Sequence, residues 1–222
     1  MTAFPRLAAD AGRIIGSRDI PAGELKMALF ECPEQSRRSD VPALLLAAYT
    51  PVSGWKRQWV ELHHAGRTQL VQTPPRKSIL GHATTELDES EAGAGVEVLL
   101  HDSDQWLTSC GDDDLQIGEN LAAIGNEVVQ FGEATALGAG RFRLDRLLRG
   151  RAGTDIAIHP KGEPLVLLQH GTLQPIDLPV WMRGSPVCAE TLDGSAQCSL
   201  TPAFNGLAPS GWKLAFQRAI EA

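Results

Sequence analysis

The segment "EVVQFGEATALGAGRFRLDRLLRGRAGTD", residues 127–155, determines the fold class predicted for this chain. Its first part alternates, which predicts a strand with Val128 and Gln130 on one face and Val129 and Phe131 on the other. The glycines of "GAG" turn the chain, and "RFRLD" returns as a second strand that keeps Phe142 away from its arginines. The segment therefore predicts an antiparallel β-hairpin with one apolar face.

The same segment carries five arginines within eleven residues. Arg141 and Arg143 lie on the polar face of the second predicted strand. "RLLRGRAGT" predicts one turn of helix followed by a corner shaped by Gly150 and Gly153. Arg149 lies at this corner, where the five donors of a guanidinium suit carbonyl oxygens and carboxylates.

The net charge of the chain limits the kinds of partner that these arginines can bind. The chain has 222 residues, a formal charge of −7 and a pI near 5.4, which argue against a protein that grips a phosphate backbone. Its apolar runs fall short of the roughly 20 residues that cross a bilayer, and the N-terminus lacks the apolar core of a secretory signal. We therefore expect no nucleic-acid partner and no membrane span, and a protein that stays in the cytoplasm or leaves it by a route other than secretion.

Strand signals outnumber helix signals along the rest of the chain. Residues 58–73 predict a hairpin with Gly66 in its turn, residues 95–110 two strands around "DSD", and residues 163–179 two strands around "HG". "VPALLLAA" is ambiguous, and "GWKLAFQRAIEA" at the C-terminus predicts a helix. The predicted fold is mainly β, with antiparallel β-barrel or β-sandwich domains and short helices.

Metal-ligand residue types occur, but without metal-site spacing. Six acidic residues are candidates for a hard cation such as calcium, and they are Asp102, Asp104, Asp112, Asp113, Asp114 and Glu119. Their spacing does not match an EF-hand, so a solvated acidic loop is favoured. His63 and His64 are adjacent on a predicted strand and face opposite sides. We expect no metal and no cofactor.

Nucleophile motifs are equally weak. The chain has no G-x-S-x-G, H-E-x-x-H or P-loop motif. A hydrolase built from Cys110 with His101 or His159 is the nearest enzymatic alternative, and we expect no enzyme. Cys188 and Cys198 flank a "DG" turn and are compatible with a disulfide, although two free thiols are favoured.

The arginine-rich segment closely resembles a known family pattern. The pattern is an E-x-x-QF-x-x-A strand, a glycine turn, a Y/F-x-L-x-x-LLRG-x-x-GT segment, an acidic residue and an H-x-x-G turn. The chain supplies Glu127, Gln130, Phe131, Ala134, Phe142, Leu144, Leu147, Leu148, Arg149, Gly150, Gly153, Thr154, Asp155, His159 and Gly162 in that order. This region resembles the C-terminal part of phage-tail and gene-transfer-agent baseplate hub proteins, the host-specificity group that includes "megatron"-like proteins. A weaker likeness extends it to residues 41–180.

The resemblance implies a structural role. Hub proteins of this kind form a ring or plug, usually a trimer, that caps the tail tube and joins it to fibres or to the cell-piercing apparatus. It implies an Arg149 pair with Asp155 or Glu127, and Arg141 and Arg143 either toward a neighbouring subunit or toward solvent. The motif and interface candidates are Gln130, Phe131, Arg141, Arg143, Arg149, Gly150, Gly153, Thr154 and Asp155. No catalytic residue comes with the motif.

The resemblance also sets the expected organisation. Residues 1–40 are expected to form an N-terminal arm, residues 41–180 the hub-like domain with subdomains at 41–115 and 116–180, and residues 181–222 a C-terminal extension. Family proteins usually carry this region behind further hub domains, so a C-terminal part of such a protein and a stand-alone tail gene both remain open.

Two functions follow. The first is a tail-tip or baseplate component of a virion, assembled in the host cytoplasm, that docks other tail or baseplate proteins. The alternative is a module that binds a host-surface glycan or receptor through Trp55, Trp59 or Trp106 as stacking platforms. Tryptophans buried in the core would favour the first function.

Overall fold

The fold is mostly β in a computed structural model that describes residues 24–31, 43–51, 54–88, 95–178, 184–202 and 214–216. One short helix, α1, spans Asp112–Gln116. The strands are β1 (Lys26–Glu31), β2 (Ala43–Tyr49), β3 (Trp59–His64), β4 (Arg67–Gln72), β5 (Leu80–Ala83), β6 (Val96–Leu100), β7 (Leu121–Ile124), β8 (Glu127–Gly138), β9 (Arg141–Arg151), β10 (Pro164–Leu167), β11 (Leu173–Asp177), β12 (Val187–Thr191), β13 (Gln197–Leu200) and β14 (Leu214–Phe216).

Six strands close into an antiparallel barrel in the order β10-β5-β6-β9-β8-β7. The β8–β9 hairpin is its longest pair and confirms the prediction made from residues 127–145. Val129, Phe131, Phe142 and Leu144 are buried in one apolar cluster inside the barrel. Arg141 and Arg143 lie on the other face and are exposed. The alternation in the sequence therefore gives the two faces of this hairpin correctly.

Two further sheets pack face to face beside the barrel. We call β11-β2-β1-β14 the middle sheet and β13-β12-β3-β4 the distal sheet. Met27 and Leu46 of the middle sheet pack toward the distal sheet, whereas Phe30 and Leu45 pack with Leu80 of the barrel. A sheet buried on both faces requires apolar residues at consecutive positions, which explains the unbroken run "ALLLAAY" in β2.

The hairpin predicted over residues 58–73 is confirmed as β3 and β4. Ala65 and Gly66 form its turn with φ values of 44° and 74°, as a two-residue turn of primed type requires. His63 is partly exposed and His64 is buried, so the adjacent histidines face opposite sides of β3.

The segment after Arg146 corrects one prediction. No helical turn forms there, because β9 continues as a strand to Arg151. Gly150 does not break the strand but occupies a bulge with φ +61°. The arginines of this stretch are therefore strand residues.

Three other expectations also change. Residues 105–110 form no strand after β6. β10 and β11 are strands, yet they do not pair with each other, because β10 lies in the barrel and β11 pairs with β2. Leu214–Phe216 form strand β14 beside β1 rather than a helix, and the rest of the predicted C-terminal helix lies outside the described residues.

The sheets take strands from distant parts of the chain, and the domain boundaries expected at residues 40, 115 and 180 stay a prediction. The barrel takes β5 and β6 from one side of residue 115 and β7 to β10 from the other. β1 is a strand of the middle sheet, and β12 and β13 belong to the distal sheet.

Strand register excludes the disulfide considered between Cys188 and Cys198. Cys198 pairs with Ala189, and Cys188 pairs with Ser199, so the two thiols lie on opposite faces of the hairpin. Both are free thiols, and the "DG" segment between them does turn a hairpin.

Within the described ranges, no helix has the length and apolar character needed to cross a membrane.

Candidate functional site: a buried carboxylate at the barrel corner

Glu127, the first residue of β8, is a fully buried carboxylate with five hydrogen-bond donors around it. Its Oε1 accepts bonds from Arg149 Nε at 2.7 Å and from the Gly150 N–H at 2.8 Å. Its Oε2 accepts from the second nitrogen of the Arg149 fork at 2.7 Å and from the Ala157 N–H at 3.1 Å, and lies 2.9 Å from His159 Nε2. We call this group of five residues the Glu127 lock.

A β-bulge aims Arg149 at this carboxylate. Val128 pairs with Arg151 and Gln130 pairs with Leu148, so one residue of β8 faces two residues of β9. Such a bulge bends a strand and redirects a side chain. Gly150 fits the bulge because a Cβ there would lie 3.2 Å from both the Ile156 side chain and the Thr154 carbonyl oxygen.

Arg149 also ties two loops to the barrel. Its guanidinium donates to the carbonyl oxygens of Asp88 at 3.0 Å and Ala157 at 2.6 Å. The backbones of Leu87 and His159 exchange two hydrogen bonds, of 2.9 and 3.0 Å, next to it. The lock therefore joins β8, β9, the chain after β5 and the loop that leads to β10.

The charge state of Glu127 follows from these contacts. Burial on its own raises the pKa of this carboxyl, but hydrogen bonds from Arg149, His159 and the N–H groups of Gly150 and Ala157 outweigh burial and lower the pKa to about 2. Glu127 is therefore ionised at neutral pH. Five donors fill a carboxylate that offers about four lone-pair directions, which leaves no free acceptor for a substrate. The arrangement serves to hold the backbone in place rather than to transfer protons.

Thr154 closes the same corner from the other side. Its hydroxyl accepts the Val128 N–H at 3.0 Å and donates to the Arg151 carbonyl oxygen at 2.8 Å. Its own N–H also donates to Arg151 at 3.0 Å. The threonine thus satisfies the backbone beside the bulge.

Gln130 anchors the segment around α1. Its buried side-chain amide donates to the carbonyl oxygens of Leu115 at 2.7 Å and Glu119 at 2.6 Å. Phe131, the next residue, points into the barrel core. The two adjacent motif residues thus stabilise opposite faces of β8.

Replacing Gln130 by alanine is expected to lower the free energy of unfolding by about 1 to 3 kcal/mol, because two carbonyl oxygens each lose a hydrogen bond from its amide. Hydrogen exchange should speed up at the amides of Leu115 and Ile117, which bond within the α1 segment. Gln116→Ala, on the exposed side of α1, is the matched control and should change stability by less than about 0.5 kcal/mol. Unchanged exchange in Gln130→Ala would show that the side chain does not hold α1.

The remaining motif candidates lie outside the lock. Arg141 is exposed, and Arg143 forms an ion pair with Asp145 at 3.1 Å. Gly153 and Asp155 are exposed, so the partner of Arg149 is Glu127 and not Asp155. Whether Arg141 and Arg143 face a neighbouring subunit stays a prediction.

Two contributors to the lock were not among the motif candidates. Both belong to the family pattern, but the sequence otherwise indicates Glu127 as one of two partners for Arg149 and His159 as a candidate catalytic base. The sequence signal was an acidic residue at the start of an apolar strand, a position where an unpaired carboxylate would be costly to bury. The Ala157 N–H carries no such signal, because it depends on the path of a loop.

Cys110, the nucleophile considered for a hydrolase, is not activated by its surroundings. Burial, followed by the charge of Asp114, raises the pKa of the Cys110 thiol, which disfavours the reactive thiolate. Its Sγ bonds to the Phe131 carbonyl oxygen at 3.6 Å. Of the two histidines considered as its base, His159 belongs to the lock and His101 contacts His82.

Among the acidic residues considered for a cation, Asp102 and Asp112 form ion pairs, and Asp114 accepts a backbone hydrogen bond. Asp102 is buried and pairs with Lys77 at 2.6 Å. Asp112 contacts Arg146, and Asp114 accepts the Gly111 N–H at 3.2 Å at the start of α1. In the part of the chain that the structure describes, no three His, Cys, Asp or Glu side chains are grouped so as to hold a metal ion.

The three candidate stacking tryptophans differ in exposure. Trp55 donates to the Pro74 carbonyl oxygen at 2.9 Å and packs against the core between the middle and distal sheets. Trp59 is 49% exposed and Trp106 is 65% exposed. Trp106 contacts Phe142 edge to face, with ring centroids 5.1 Å apart.

Comparison with known families places one match on the barrel. The family described as "Rcc01698-like, C-terminal" matches residues 78–166. These residues include β5 to β9 and most of β10, together with every residue of the Glu127 lock. No curated protein matches the chain.

Proposed function

We propose that this chain is a structural component of a phage-like tail tip or baseplate, which assembles with other tail proteins and docks the hub to fibres or host-contact parts. The observation that carries the proposal is the use made of the motif residues. Glu127, Arg149, Gly150, Thr154 and His159 join one another inside the protein, with the carboxylate saturated. A motif whose side chains brace a barrel corner supports a mechanical role in an assembly.

The family match supports the same proposal. The matching family is named after a protein related to gene transfer agents, which are phage-like particles. The match covers the barrel that contains the lock. By resemblance the assembly is a trimer in the virion, with Arg141 and Arg143 of the exposed β9 face as donors toward neighbouring proteins.

Particle association tests this proposal. Particles from the source strain are banded on a density gradient, and an antibody against the chain is applied to each fraction. We expect the chain to sediment with the tail proteins in a fixed ratio to the tail-tube subunit. A chain that remains wholly in the soluble fraction while particles band normally would contradict the proposal.

A glycan- or receptor-binding module is the second candidate. The exposure of Trp59 and Trp106 favours it, because exposed aromatic faces stack on sugars. A polar cleft of about 1000 Å³ lies between the barrel and the middle sheet, but its described lining, which includes Arg76, Glu119 and Gln174, contains no Trp, Tyr or Phe. The stacking surfaces and the cleft are thus separate, and we rank this function second.

A further inference from the structure

Two histidines meet on the outer face of the barrel, away from the Glu127 lock. His82 lies in β5, and His101 directly follows β6. Gly81 pairs with Leu100, and the His101 N–H donates to the Leu80 carbonyl oxygen at 2.9 Å. This register places both imidazoles diagonally on the face that also carries Leu80.

The ring nitrogens face each other. His82 Nδ1 and His101 Nε2 are 3.3 Å apart, with ring centroids separated by 5.5 Å. Two nitrogens that each lie about 2.0 to 2.1 Å from a tetrahedral zinc ion are themselves roughly 3.3 Å apart. The spacing therefore matches the bite of a transition-metal ion.

We propose that His82 Nδ1 and His101 Nε2 form a two-histidine site for a divalent transition-metal ion of the Zn²⁺ type, with water in the remaining positions. Imidazole nitrogen suits Zn²⁺, Cu²⁺ and Ni²⁺ rather than Ca²⁺ or Mg²⁺. The exposed His101 ring can turn so that its lone pair points to the ion. This site is independent of the proposed tail-tip function.

The charges near the pair are balanced. The adjacent cations are matched by carboxylates, since Lys26 pairs with Glu24 and Lys77 pairs with Asp102. The ring of Tyr49 packs 5.8 Å from that of His101 and covers one side of the pair.

Without metal, the same spacing suits one N–H···N hydrogen bond between two neutral rings. The two arrangements differ in what a titration measures. If the histidines form only a hydrogen-bonded pair, the chain takes up no zinc. If they form a metal site, the chain binds one ion, and replacing either histidine weakens binding without unfolding the protein.

Calorimetric titration of Zn²⁺ into the chelator-treated full chain tests the site. We expect one ion per chain, and affinity at least about tenfold weaker in His82→Asn and in His101→Asn. Zn²⁺ should also raise the midpoint of thermal unfolding of the wild type but not of either variant, since a ligand stabilises the state that binds it. Circular dichroism establishes that both variants fold.

Two other histidines supply the controls. His170→Asn, in the polar cleft, and His63→Asn, beside Glu61 on the distal sheet, should bind Zn²⁺ like the wild type. The proposal is overturned if the wild type shows no saturable binding up to about 100 µM Zn²⁺. It is equally overturned if folded His82→Asn and His101→Asn bind as the wild type does.

Discussion

Replacing Glu127 by glutamine is expected to lower the free energy of unfolding by about 3 to 5 kcal/mol. The substitution keeps the shape of the side chain but removes the charge that balances Arg149, whose side chain is only 13% exposed. The new amide group also directs N–H donors toward the donors of Arg149 or Gly150. Urea unfolding followed by tryptophan fluorescence measures the loss.

Glu133→Gln is the matched control for this experiment. Glu133 lies on the same strand, is exposed and pairs across the hairpin with Asp145. We expect a change of less than about 0.5 kcal/mol. If Glu127→Gln were as stable as Glu133→Gln, the buried carboxylate would not be what holds the barrel corner.

The second large effect is a loss of stability in acid. The pKa of Glu127 falls from an ordinary value of 4.5 to about 2 in the fold, so the unfolded chain takes up this proton first as the pH falls. The contribution of the lock is complete above pH 4.5 and is lost progressively between pH 4.5 and pH 2. A shift of this size corresponds to about 3 kcal/mol.

Comparison with Glu127→Gln isolates this contribution. Other carboxylates also titrate in acid, but they are common to both proteins. One of them is Asp193, because hydrogen bonds from Ser195 and Thr191 lower its pKa to about 2. The free energy of unfolding of the wild type should therefore fall more steeply between pH 4.5 and pH 2 than that of the variant. Parallel pH profiles would contradict the assignment, and Glu133→Gln should follow the wild type.

Local patterns in the sequence predict the barrel hairpin well. Alternation in β8 and β9 identifies the inward Phe131 and Phe142 and the outward Arg141, although the first half of β8 is buried on both faces. The sequence pattern gives a wrong prediction at Gly150, because the glycine there predicts the end of the strand. The pairing across the hairpin instead absorbs the extra residue as a bulge, and this depends on the partner strand.

Non-local contacts account for most of what sequence reasoning missed. The middle sheet joins the consecutive strands β1 and β2 to β11 and β14, which lie far from them in the chain, and no local signal specifies these distant neighbours. "VPALLLAA" was ambiguous because burial on both faces removes the alternation that marks a strand. "LAF" in β14 was assigned to a helix on apolar spacing alone, although its conformation follows from pairing with β1.

The candidate site was predictable in part. The pairing of Arg149 with Glu127 was one of two options drawn from the resemblance, and the structure selects it. The histidine and backbone donors converge on Glu127 only because the loop before β10 folds back against the chain after β5. Such convergence arises from tertiary structure and has no fixed spacing in the sequence.

Immunogold electron microscopy of intact particles, with an antibody against this chain, tests the proposed tail-tip function most directly. The account predicts label confined to the distal end of the tail, with none along the tube or on the head. Particles without label, together with soluble chain in the cell, would contradict a role in the tail tip.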